Sequence, residues 1–107
     1  MKLLYEQPRE NLYDGEGVVY ASSKRFGKLS PIKSVTRLRV TEFSEIGRHR
    51  NAQWEIYFSL SRDIRFNHSK KWKPFILVAP GAVRSIQNIG DNEGIVYAIK
   101  FWSKREE

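Results

Sequence analysis

The chain has 107 residues, 40% hydrophobic and 13% aromatic, with a formal net charge of +7 from 19 basic and 12 acidic side chains. That length holds one core rather than two, and the apolar fraction excludes a disordered chain. Cysteine is absent, which excludes disulfides and thiolate metal sites and suits a cytoplasmic setting.

Residues 1–14 hold Pro8, Asn11 and Asp14 without a clean period and are expected to form an arm or a first edge strand. The segment from Met1 to Glu6 has only a short apolar patch, so no signal peptide or membrane partner is expected. Asp14-Gly15-Glu16-Gly17 is a turn by composition, and Gly17 to Ala21 reads as a strand. Ser22 to Ser30 reads as a loop, and Ile32 to Phe43 as a long strand in which Thr36, Leu38 and Val40 share a face. Gln53 to Leu60 alternates polar and apolar residues, which predicts a strand.

A short strand Ile64-Arg65-Phe66 and the polar turn 67–71 follow. Phe75 to Ala79 is a continuous apolar run, as for a strand buried on both faces. Val83 to Asn88 is a further strand, and the Gly90–Gly94 segment a hairpin turn. Ile95 to Trp102 is the last strand, apolar on both faces apart from Lys100, and 104–107 is a charged tail. No stretch shows a helical period, so the expected class is an all-β antiparallel sandwich or barrel spanning 15–103.

Two stretches carry chemistry. His49, Asn51 and Glu55 lie at even spacings, so in an extended chain they point the same way. Arg84, Ile86 and Asn88 share a face by the same rule. The basic residues are scattered, never more than two in succession, and give no basic tail. They point to anionic partners. Nucleic acid is a lesser expectation, because the aromatic strand from Trp54 to Leu60 has no basic residue between its members. Trp54, Phe58, Trp72, Phe101 and Trp102 are read as core or interface, and His68 as a solvated turn residue.

The two stretches resemble the paired signatures of the cupin superfamily. His49, Asn51 and Glu55 fall on its H-x-H-x-x-x-E spacing, with Asn51 for the second histidine. Arg84 and Asn88 fall on its H-x-x-x-N spacing, with Arg84 for the histidine. Pro80-Gly81 is one residue tighter than the family's P-x-G, and Arg62 stands where the first signature closes on glycine. The resemblance implies a jelly-roll β-barrel. In the family these positions hold one divalent metal inside the barrel. Here the resemblance leaves His49 and Glu55 as good ligands, Asn51 as a weak one and Arg84 as a permanent cation without a lone pair. The expectation is a degenerate metal site, with no cofactor.

Three functions follow as alternatives. One is a metal-free pocket for a small anionic or polyhydroxy ligand, with Arg84 as anchor and His49, Asn51, Glu55 and Tyr57 as the wall. A second is a metal-independent sugar or sugar-nucleotide isomerase or epimerase, with His49 as base and Tyr57 as acid. In the third, Arg84 and Glu55 form a buried ion pair and the protein acts through its surface. No catalytic dyad is legible, which favours binding over catalysis. The outward set Trp54, Ile56, Phe58 and Leu60, with the doubly apolar last strand, predicts a homodimer through sheet faces.

Overall fold

Short alternating segments separated by turns become nine strands in the computed structural model, which describes residues 6–103. They are β1 (Gln7–Glu10), β2 (Val18–Arg25), β3 (Ile32–Val40), β4 (Glu45–His49), β5 (Glu55–Phe58), β6 (Ile64–Phe66), β7 (Phe75–Val78), β8 (Arg84–Asn88) and β9 (Gly94–Phe101). A single 3-10 turn, Leu12–Asp14, follows β1. Among the described residues no helix is long and apolar enough to cross a membrane.

Every pairing is antiparallel. One sheet has six strands in the order β1-β2-β3-β9-β5-β7, and the other has three in the order β4-β8-β6. Val19, Leu38, Val40, Tyr57, Val78 and Val96 of the first meet Ile46, Ile64, Phe66 and Ile86 of the second in one core. This is an all-β jelly roll.

Register gives the inner face of the large sheet a polarity gradient. Across its strands, Arg25, Ser34, Lys100, Glu55 and Val78 form one row, and Ser23, Thr36, Ala98, Tyr57 and Ile76 the next. Ala21, Leu38 and Val96 follow, then Val19, Val40 and Gly94. The apolar rows close one end of the barrel, and the polar rows leave the other end open for a site.

Of the two forms expected of the N-terminal segment, residues 7–10 take the edge strand, on β2. Other expectations are corrected. Residues 1–5 and 104–107, which hold the apolar patch and the charged tail, lie outside the described residues. Strand β2 runs to Arg25, through part of the expected loop, because the long β3 pairs it throughout and Ser23 bonds Thr36 at 2.7 Å. Strand β3 ends at Val40, where a turn takes Phe43 to φ 53°.

Two expected turns are crossovers. The Gly90–Gly94 segment joins β8 to β9, and 67–71 joins β6 to β7, each passing between sheets rather than closing a hairpin. Composition marks a reversal but not which sheet receives the chain. β7 is buried on one face only, since Phe75 and Leu77 are 60% and 62% exposed. His68 is tied down rather than simply solvated: its Nε2 lies 3.1 Å from the Glu45 carboxylate, and its backbone N–H donates to Gln87.

Candidate functional site

His49, Asn51 and Glu55 do not share one strand. His49 ends β4 in the small sheet, and Glu55 opens β5 in the large one. Asn51 lies in the turn between them, where its carbonyl accepts from Gly81 N–H. The side chains converge because the chain crosses between sheets at the open end of the barrel. Arg84 pairs with His49 across β4 and β8.

Arg84 is fully buried. Its Nη1 donates to Glu55 Oε1 at 2.8 Å, its Nη2 to the carbonyls of Ala79 and Ala82, and its Nε to Ala82. Glu55 is 2% exposed. Its Oε1 also accepts from Asn51 Nδ2 at 3.2 Å. The guanidinium therefore stands behind Glu55 rather than on the cavity. This corrects Arg84 as a direct ligand anchor: its donors are spent on one carboxylate and two backbone carbonyls.

The cavity has a volume of about 390 Å³. Its polar wall holds His49, Asn51, Glu55, Tyr57, Thr36 and Lys100, with Arg9 and Tyr13 from the N-terminal segment. Leu12, Leu38, Ile46 and Ile86 supply an apolar wall. That size is within the usual range for a small-molecule site.

Tyr57 is buried, and its hydroxyl sits between the Glu55 carboxylate and His49 Nε2, the latter at 3.4 Å. The one phenolic proton faces two acceptors and goes to the carboxylate, the stronger of them. Burial, with the Glu55 charge and hydrogen bond, pushes Tyr57 far above its ordinary value. It is a poor general acid.

The Gly47 carbonyl lies 2.9 Å from His49 Nδ1. That carbonyl only accepts, so Nδ1 carries the proton and Nε2 keeps its lone pair toward the cavity. Tyr13 stacks on the ring, with centroids 4.0 Å apart and planes at 11°. The turn bearing Tyr13 sits backbone-to-backbone on β4, since a Cβ on Gly47 would fall 1.8 Å from the Tyr13 carbonyl oxygen. Sequence reasoning missed Tyr13, Thr36, Lys100 and Arg9. Inward alternation along Gly94, Val96, Ala98 and Lys100 is the signal that places Lys100 here.

Burial, joined by the Arg84 and Lys100 charges, lowers His49 from its ordinary 6.5, against the Gly47 carbonyl and Glu55. The folded pKa lies below the unfolded one, so this contribution to stability is complete above pH 6.5 and is lost as pH falls toward the folded value. The urea midpoint is expected to hold level from about pH 7 to 8 and to drop below about 6.5. In His49→Phe the drop shrinks. An unchanged profile in that variant overturns the assignment.

The site does not fit the divalent metal that this kind of barrel implies. Arg84 holds a permanent cation against the Glu55 carboxylate, and Asn51 turns an N–H, not its oxygen, toward the same carboxylate. His49 Nε2 keeps a lone pair toward the cavity, but one imidazole beside a carboxylate already paired with a fixed cation is not a ligand set for such a metal. Among the described residues no three His, Cys, Asp or Glu side chains gather into a metal-binding group.

No family model matches the sequence. The comparison with curated proteins gives no match. Solved structures do match in shape. A protein described as a predicted oxalate decarboxylase from Thermotoga maritima superposes with a TM-score of 0.76 at 19% identity, covering 96% of this chain and 100% of its own. A cupin 2 conserved barrel domain protein from Salinispora arenicola gives 0.63 at 14% identity, over 82% and 79%. A cupin domain from Bordetella pertussis gives 0.60 at 14%, over 96% and 99%.

Proposed function

The chain has the cupin fold, and we propose that it binds a small anionic or polyhydroxy molecule in the barrel cavity, without a metal. The observation that carries this is the Arg84–Glu55 pair. A cation occupies a ligand position and neutralises the carboxylate, while the cavity in front stays lined by hydrogen-bonding groups. A cytoplasmic setting goes with this reading. A metal-independent sugar isomerase or epimerase is the second reading, favoured by the His49 lone pair and opposed by the weakness of Tyr57 as its acid.

The test is elemental analysis with native mass spectrometry of purified protein, followed by a thermal-shift screen of sugars, sugar phosphates and small carboxylates. The expected result is no stoichiometric metal and at least one stabilising ligand. About one zinc, manganese, iron or nickel per chain overturns the metal-free reading, and a silent screen overturns the pocket. The paired changes Asn51→His and Arg84→His are expected to create metal affinity together and little singly. Solvent deuterium entering a bound sugar favours the second reading.

We also propose that a second copy covers the outer face of the large sheet. Phe58 lies between Tyr97 and Phe75, and Ile56 between Ile99 and Leu77, so their apolar side chains are contiguous. Trp54, Phe58, Leu60, Phe75 and Leu77 are exposed there. On a chain of +7 this uncharged strip is where two copies meet with least repulsion. Light scattering at about 10 μM is expected to give a dimer that Phe75→Lys with Leu77→Lys dissociates. A monomeric mass in the wild type overturns it.

A further inference from the structure

Lys100 is the cavity residue whose charge the fold leaves unmatched. It is the neighbour of Glu55 in the polar row of the large sheet and points to the same side. Glu55 does not pair with it, because that carboxylate is committed to Arg84, Asn51 and Tyr57. Among the described residues Lys100 has no ion pair or hydrogen bond, although it is half-buried and lines the cavity. Its charge reaches the His49 ring.

His49 supplies the complementary vacancy. Its Nδ1–H goes to Gly47, and the Tyr57 proton goes to Glu55, so Nε2 is an acceptor without a committed donor. A ligand that completes this site brings one negative charge and one hydroxyl proton. The apolar part of the lining, including Leu12, Ala21, Leu38 and Ala98, leaves room for a short carbon chain.

We infer that the cavity takes a small hydroxy acid, its carboxylate on Lys100 and a hydroxyl donating to His49 Nε2. This rests on the pocket reading above and narrows its ligand class. Carboxylate is favoured over phosphate. One inner ammonium balances a monoanion, and the other cation on the cavity, Arg9, is exposed and bonded to Gln7. Salt is expected to weaken the contact modestly, since half-burial shields it from screening.

The test uses the intact chain and matched probes: hydroxy acids of two to six carbons, each beside its hydroxyl-free acid, its neutral polyol and its phosphate ester, titrated by calorimetry. The expected result is that at least one hydroxy acid binds about tenfold or more tightly than its three counterparts, as one added ionic hydrogen bond provides. Lys100→Met is expected to erase the preference for acid over polyol, and His49→Phe the preference for hydroxy acid over plain acid. Polyols binding as tightly as their acids, or phosphate esters binding best, overturn this ligand class and leave the pocket standing. No binding by any probe or by any compound of the wider screen overturns both. The wild-type ratios decide the matter even if a variant fails to fold.

Discussion

Replacing Arg84 with methionine is expected to lower the unfolding free energy by about 3–5 kcal/mol, the usual cost of removing one partner of a buried ion pair. The side chain is fully buried, and so is its partner Glu55. Without the guanidinium, the buried Glu55 carboxylate is left with only Asn51 and Tyr57 to satisfy it. The carbonyls of Ala79 and Ala82 lose their donors as well. For a domain of this size such a loss is a large part of the total stability. Arg84→Lys should rescue little, because a point charge cannot reach Glu55 and two carbonyls as the planar fork does.

The double change Arg84→Met with Glu55→Leu separates this account from a simple packing loss. Removing both charges removes the penalty of the stranded one, so the double variant is expected to be more stable than Arg84→Met alone. Urea unfolding of the four proteins closes the cycle. A cost below about 1 kcal/mol for Arg84→Met, or strict additivity in the cycle, sinks the argument. Ligand affinity in Arg84→Met should fall through the displacement of Glu55, since Arg84 does not itself face the cavity.

Much of this was legible in the residues, for reasons that also mark the limits. The spacing of His49, Asn51 and Glu55 with Arg84 and Asn88 pointed to the barrel. The four site positions do converge, though His49 and Glu55 belong to different sheets. Even spacing was the right pattern with an incomplete geometry, since a turn over residues 50–54 carries the chain across. Lys100 was passed over as the one polar residue of an apolar strand. Its place beside Glu55 is a matter of register, which depends on long-range pairing. Phe75 and Leu77 show the converse limit. An apolar run fits a strand buried on both faces, but one chain supplies cover for only one of them.

The second large effect is expected at Asn88, at the end of β8 away from the cavity. Its side chain is buried and bonds four backbone groups. Nδ2 donates to the carbonyls of Val40, Thr41 and Asn92, at 3.0, 3.2 and 2.8 Å, and Oδ1 accepts from Gly90 N–H at 3.0 Å. One amide thus pins the turn after β3 to the crossover that leads into β9. Asn88→Leu fills similar space and satisfies none of the four. With unmet buried groups costing about 1–3 kcal/mol each, partly relieved by water at the exposed edge, a loss of about 3–5 kcal/mol is expected. Asn88→Asp should be no better, because it keeps the bond to Gly90 but turns a carboxylate toward three carbonyl oxygens. The damage should be local in hydrogen exchange, with amides of 41–44 and 90–94 losing protection before those of β5. The selectivity of the folded fraction among acids and polyols should not change, since Asn88 does not line the cavity. A loss below about 1 kcal/mol, or altered selectivity with normal exchange in those two turns, would place Asn88 with the site rather than with the frame.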